Sequence, residues 1–171
     1  MEIRTVAIIG AGTMGAGIAQ VCAQTGWKTK LFDAYPDGLE RGMNTIDAFW
    51  DKGISRGKTT PEQKEQWNAN LSAIDNLHAA VSDADLIIEA VPEIMDLKKK
   101  VFRDIDAFAQ EHAILGSNTS SLSISEIASV VKDPSRVIGM HFFNPVPLMK
   151  LLELVKHDSC AEDTIATAEL A

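Results

Sequence analysis

The chain has 171 residues, a net charge of −8 and two cysteines, enough for one compact domain with a sizeable core, or for one domain and the start of another. The acidic balance, with lysines scattered or confined to one short helical run, excludes a basic stripe for nucleic acid or an acidic membrane surface. Met1 to Arg4 leads straight into an apolar run and no stretch is long enough to span a bilayer, so the expectation is a cytoplasmic protein with no membrane partner.

Val6 to Ile9 is a continuous apolar run, as a central parallel strand buried on both faces should be. It stops at the glycines of VAIIGAGTMGAG. Gly10 lets the chain turn out of the strand, Gly12 lets the backbone approach a pyrophosphate, and Gly15 lets the next helix pack close to the sheet. That helix, starting near Thr13, aims its unpaired N–H groups and positive dipole end at the anion, and Met14, Ile18, Val21 and Thr25 mark its apolar side. Gly26 caps it.

Lys28 to Phe32 reads as a second strand that delivers Asp33, near the spacing at which an acidic residue meets the ribose hydroxyls of NAD. Capping a turn before Pro36 is the plainer role for Asp33. The glycine loop and the carboxylate together favour the dinucleotide, and NAD over NADP because a carboxylate repels a 2′-phosphate; Arg41 is the one nearby cation that argues the other way. From Pro36 the expected short crossover is replaced by a helical hairpin over about 36–70. Leu39, Met43, Ile46, Trp50 and Ile54 share a face of its first helix, and Thr60, Pro61 and Gln63 start the second, which runs to about Ala69. Lys52, Arg56 and Lys58 give this arm local positive charge, either to bind a ligand or merely as a solvated face.

Leu71 to Ile74 is a short third strand and Asp85 to Val91 (DLIIEAV) a fourth, stopped by Pro92, with Glu93 just beyond it. Ile94, Leu97, Val101, Ile105 and Phe108 define the buried face of the next helix, which puts the Lys98 to Lys100 run mostly on its outer face. Ala113 to Leu115 is the fifth strand, followed by the polar loop GSNTSS. Ser123 and Glu126 form a capping box for the following helix, leaving the hydroxyls of Ser120 and Ser121 for a ligand. Arg136 to Met140 is the sixth strand and delivers His141; after FFNPVP, Lys150 to Val155 returns as a seventh, antiparallel strand.

Alternating strands and helices imply an α/β, doubly wound, mostly parallel sheet ordered 3-2-1-4-5-6. The glycine loop, Asp33, Glu93, Ser120 and His141 each follow a different strand at one edge. Glu153 lies between Leu151 and Val155 on one strand face, where a carboxylate is costly unless paired. His141 is the natural partner: a Glu on one ring nitrogen fixes the tautomer and leaves the other as a base. An edge-strand Glu in water beside a backbone-satisfied histidine fits the residues equally well. Cys22 and Cys160 lack metal-ligand spacing and read as inert thiols, and no metal is expected.

The segments VAIIGAGTMGAGIAQ, EAVPE followed by Lys98, SNTSSL and HFFNPVPLMKLLEL together resemble the amino-terminal Rossmann domain of the 3-hydroxyacyl-CoA dehydrogenases, over almost the whole chain. The resemblance implies oxidation of a (3S)-3-hydroxyacyl-CoA by NAD, with His141 and Glu153 as the acid-base pair. It implies that Ser120 and Asn144 hold the substrate's 3-oxygen and the histidine network and also meet the cofactor. Gly10, Gly12, Thr13, Met14, Gly15, Asp33, Glu93 and Lys98 are the remaining cofactor residues so implied. The hairpin matches the arm that receives coenzyme A, for which Lys52 and Lys58 are candidate contacts. In that family a second, mostly helical domain follows and makes a homodimer; here the chain ends at Ala171 in what resembles the joining helix, so a truncated form with little turnover is expected. Two other readings are a related Rossmann enzyme, such as a 3-hydroxyisobutyrate or 6-phosphogluconate dehydrogenase, and a non-catalytic dinucleotide module like the family's lens crystallins. HFFNP with Glu153 does not resemble the catalytic lysine arrangement of the former.

Overall fold

Thr5–Ile9 (β1) lies inside a seven-stranded sheet of order β3-β2-β1-β4-β5-β6-β7. The other strands are Lys28–Phe32 (β2), Leu71–Ile74 (β3), Leu86–Glu89 (β4), Ile114–Ser117 (β5), Val137–Phe142 (β6) and Leu152–Val155 (β7). The structure is a computed structural model that describes residues 2–119, 121–143, 146–148 and 152–155, with 152, 153 and 155 described in their backbone. The first six strands are parallel and β7 is antiparallel to β6, the doubly wound order expected.

Alternation along β1 feeds two cores. Val6 and Ile8 face Thr13–Thr25 (α1) and Pro36–Ser55 (α2), packing with Ile18, Ala23, Leu39, Ile46 and Trp50. Ala7 and Ile9 face Leu77–Val81 (α4), Met95–Phe108 (α5) and Ile124–Ala128 (α6), packing with Phe102, Ile105 and Ile127. Helices on both faces explain why β1 is apolar from Val6 to Ile9 and β4 from Leu86 to Ile88. The second arm helix, Pro61–Ala69 (α3), starts at the expected capping box of Thr60 and Gln63. It is held to α2 by Lys64, whose ammonium lies 2.8 Å from Asp47 and 2.6 Å from Asp51, and by Trp67 against Trp50 at 5.8 Å between ring centroids.

Several elements depart from expectation. The helix α4 was not foreseen: five residues carry no periodicity, and its signal is the Asn76 side chain accepting from the Ala79 N–H at 3.0 Å. On α1 the buried side is Ala16, Ile18, Ala19, Cys22 and Ala23, with Met14 and Val21 half-buried against the same core, while Thr25 is exposed and falls off it. Strand β4 ends at Glu89 rather than Val91, since the Glu89 carboxylate itself takes the Val91 N–H at 2.8 Å and turns the chain. Strand β5 runs on through Gly116 and Ser117, and β6 begins at Val137 and contains His141. Arg136 instead sits in a 3-10 turn, where its guanidinium meets the Gln110 carbonyl at 2.6 Å and Asp106 at 2.7 Å. On α5 the buried residues are Lys98, Phe102 and Ile105, while Ile94 and Phe108 are 57% and 42% exposed. Ile94 precedes the helix as its N-cap, and Lys98 is drawn inward by a carboxylate, not outward by water. Glu126 completes only half of its capping box, because its carboxylate pairs with Lys99 at 2.9 Å. Cys22 is buried and desolvation pushes its thiol up to about 12, so it is inert as expected; Cys160 lies outside the described residues.

Asp85 ties the start of β1 to the turn before β4, accepting from the Arg4 and Thr5 N–H groups at 2.9 and 3.1 Å, with His112 Nε2 at 2.9 Å. Burial pushes its carboxyl up, but His112 and the two backbone N–H groups together outweigh that and hold it below the usual range. Its stabilising effect is therefore present above the ordinary carboxylate pKa and lost as pH falls through the depressed value. We expect the stability gap between wild type and Asp85→Asn, measured by thermal melts, to close as pH drops below about 4. A gap that stays constant from neutral to acid pH would contradict this account.

Candidate functional site

A cleft of about 1020 Å³ opens at the carboxyl ends of β1, β2, β4, β5 and β6, lined among others by Gly10, Gly12, Thr13, Met14, Asp33, Glu93, Asn118 and His141. Gly10 turns the chain at φ 109°, where a side chain would also press on the Ala90 carbonyl at 2.8 Å. A Cβ on Gly15 would fall inside the Gly10 carbonyl, so only glycine lets α1 start this close to β1. Gly12 is different: nothing lies within 4 Å of where its Cβ would be. That open space faces the N-terminus of α1, which has no side-chain cap and no acidic residue in its first turn. An oxyanion there would meet unpaired amides and the positive end of the helix dipole.

Asp33 follows β2 and spans two neighbours. Its Oδ2 accepts the Ala11 N–H at 2.8 Å and its Oδ1 accepts the Tyr35 N–H at 2.9 Å, just before α2. The turn-capping role is thus real, and it fixes the carboxylate beside the glycine loop with lone pairs to spare for a ligand. A diphosphate over Gly12 with a ribose diol at Asp33 suits these groups, which is what NAD requires.

Behind the cleft wall lies a network that reading the sequence missed. Glu89 and Lys98 side chains are both 0% exposed and paired at 2.6 Å. The Lys98 ammonium also donates to the carbonyls of Val91 at 3.1 Å and Asn118 at 3.3 Å, and Glu93 is 3.6 Å away. The other Glu89 oxygen accepts from the Ser117 hydroxyl at 2.5 Å. Burial pushes the Glu89 carboxyl up, outweighing the opposing pull of Lys98, Ser117 and the Val91 N–H. Lys98 is therefore buried rather than on an outer helix face, and it lies behind Glu93, which lines the cleft. The available signal was Glu89 itself, a carboxylate ending an apolar strand, costly to bury alone.

His141 stands in β6 at the cleft, its ring 4.6 Å from that of Phe143 between centroids. The β6–β7 ladder sets Glu153 directly opposite His141. Opposed positions of an antiparallel pair share a sheet face. Ser120 and Asn144 lie outside the described residues, as does the side chain of Glu153. Neighbouring Asn118 accepts the Phe142 N–H on its side-chain oxygen at 3.1 Å, which links the end of β5 to the strand bearing His141. Lys52, Arg56 and Lys58 are exposed on the arm and do not line the cleft. Among the described residues no helix is long and apolar enough to cross a membrane.

Residues 5–170 match the family model described as 3-hydroxyacyl-CoA dehydrogenase, NAD binding domain. A probable 3-hydroxybutyryl-CoA dehydrogenase of Bacillus subtilis is 40% identical over 96% of this chain and 57% of its own length. A 3-hydroxyadipyl-CoA dehydrogenase of Escherichia coli is 41% identical over 96% of this chain and 34% of its own. The crystal structure of (S)-3-hydroxybutyryl-CoA dehydrogenase from Ralstonia eutropha superposes with a TM-score of 0.96 at 40% identity, covering 99% of this chain and 59% of that one. The chain thus spans about half, or less, of the length of these relatives.

Proposed function

The chain belongs to the 3-hydroxyacyl-CoA dehydrogenase family, whose NAD-binding domain it carries, and from that premise we propose that it serves the reversible oxidation of a (3S)-3-hydroxyacyl-CoA to the 3-ketoacyl-CoA. The observation that carries this reading is the meeting of two features in one cleft: the uncapped α1 terminus with Asp33, and His141 opposite Glu153 across the ladder. NAD, when bound, supplies the hydride acceptor. The amides at the start of α1 hold its diphosphate, and Asp33 holds the ribose diol.

In the proposed reaction His141 takes the proton of the substrate's 3-hydroxyl while Glu153 orients the ring and stabilises the imidazolium. Ser120 and Asn144 hold the 3-oxygen, and Ser120 donates toward it as it becomes a carbonyl. The α2–α3 arm receives coenzyme A, with Lys52 and Lys58 placed on its exposed side to meet phosphates. The buried free thiol of Cys22 suits a reducing compartment, and we place the protein in the cytoplasm.

A second reading, dinucleotide binding alone, draws on the uncapped α1 terminus and Asp33 without any part for His141. NADH oxidation with acetoacetyl-CoA, at high protein concentration and alongside an NADH titration, separates the two. A rate above the protein-free background supports the dehydrogenase; saturable NADH binding with no rate leaves the binding module. No NADH binding would refute both.

A further inference from the structure

One wall of the cleft is made by two short turns, one after β4 at residues 90–93 and one after β5 at Asn118, the first of them beside the glycine loop. Each leaves the sheet after a last backbone bond at 2.8 Å, from the Ala90 N–H to the Ile9 carbonyl and from the Asn118 N–H to the Glu89 carbonyl. Both are reached by one buried cation, the Lys98 ammonium, through the Val91 and Asn118 carbonyls. An ammonium has three N–H donors, and here Glu89 takes the third. A lysine that was not held would swing to water, since its stem is flexible and its head strongly hydrated.

We propose that Glu89 is a positioning residue for the dinucleotide cleft. It holds Lys98 as a fixed buried clamp on the turns at Val91 and Asn118, and so sets the wall that faces the cofactor and the strand that carries His141. The proposal rests on the reading of the cleft as an NAD site. Three features point to placement of these turns rather than to core stability. First, a buried ion pair is commonly no better for stability than apolar residues of the same volume. Second, its hydrogen bonds go outward, to residues past the strand ends, with Ser117 and the Val91 N–H closing the Glu89 oxygens. Third, the chain of contacts continues from Asn118 to the Phe142 N–H, next to His141. The Glu89 and Lys98 side chains are both 0% exposed, so Glu89 reaches the cleft through Lys98 and the turns that Lys98 holds.

The test uses the 171-residue chain with Glu89→Gln, Lys98→Met and the double variant, read by melting temperature, NADH titration and amide hydrogen exchange. Each single variant strands a buried polar or charged group and loses stability, and either could fail to fold. The double variant removes both charges at nearly constant volume and is expected to regain most of the melting temperature. Its NADH affinity is expected to stay about tenfold weaker than wild type, because the two carbonyls have still lost their charged donor. Its Phe142 amide should exchange faster. A merely structural pair predicts the reverse pattern: affinity and Phe142 exchange return to wild type together with the melting temperature, and that result overturns the clamp. Failure of the wild-type chain to bind NADH overturns instead the cofactor reading beneath it, while Phe142 exchange still reports on the clamp.

Discussion

Replacing His141 with alanine is expected to slow acetoacetyl-CoA-dependent NADH oxidation by about two to four orders of magnitude, the usual contribution of a positioned general acid-base. NADH affinity should stay within about twofold, because the groups that suit the diphosphate and ribose come from the ends of β1 and β2 and the start of α1, away from β6. The physical basis is placement. His141 lies on a strand rather than a loop, in register with Glu153, with Phe143 against its ring. A histidine carried on a strand and packed against Phe143 loses little orientational entropy when the reaction needs it. The control is Glu153→Gln, which keeps the volume but removes the charge that would stabilise the imidazolium; it should cost less than His141→Ala and act on turnover rather than on NADH binding. Equal turnover in His141→Ala and wild type would remove histidine from the mechanism.

The parts of this fold that could be read from residues are those where one interaction dominates. Apolar runs at Val6–Ile9 and around Ile87 and glycines at Gly10 and Gly15 each have one physical explanation, and the structure places them as expected; Asp33 has two, and the structure shows its turn cap at the cleft. Lys98 is the instructive failure. Helical periodicity assigns faces by hydrophobicity, and a lysine scores as outward; here a partner carboxylate on another element, Glu89, outweighs hydration. Such a pair is invisible to a pattern confined to one segment, because its partners are nine positions apart and on different elements. The short helix α4 and the ends of β4 and β5 escaped for the related reason that side-chain hydrogen bonds from Asn76, Glu89 and Ser117 decide them. The logic that demands a partner for Glu153, a carboxylate among apolar neighbours, holds equally for Glu89.

A methyl group at Gly15 is expected to do more damage than one at Gly12, although both glycines belong to one loop. At Gly15 the added carbon meets backbone, the Gly10 carbonyl, and no rotamer change can relieve it. Gly10 is held in its turn at φ 109° by its N–H, which donates to the Phe32 carbonyl at 2.8 Å. So α1 must lift away from the sheet, opening contacts of Ile18 and Ala19 with the core. Overpacking of this kind costs about 3 kcal/mol or more, roughly a 5 to 10 °C fall in melting temperature for a chain of this size. NADH binding should weaken by about a hundredfold as the amides move off the diphosphate. Gly12→Ala separates the two effects. Its backbone, φ −71° and ψ −169°, is open to any residue, and the new methyl meets nothing of the protein. Its melting temperature should match wild type while NADH binding falls, since the methyl stands where the diphosphate must come close. If Gly15→Ala melts like wild type, the packing argument fails; if Gly12→Ala binds NADH normally, the diphosphate does not lie over this loop.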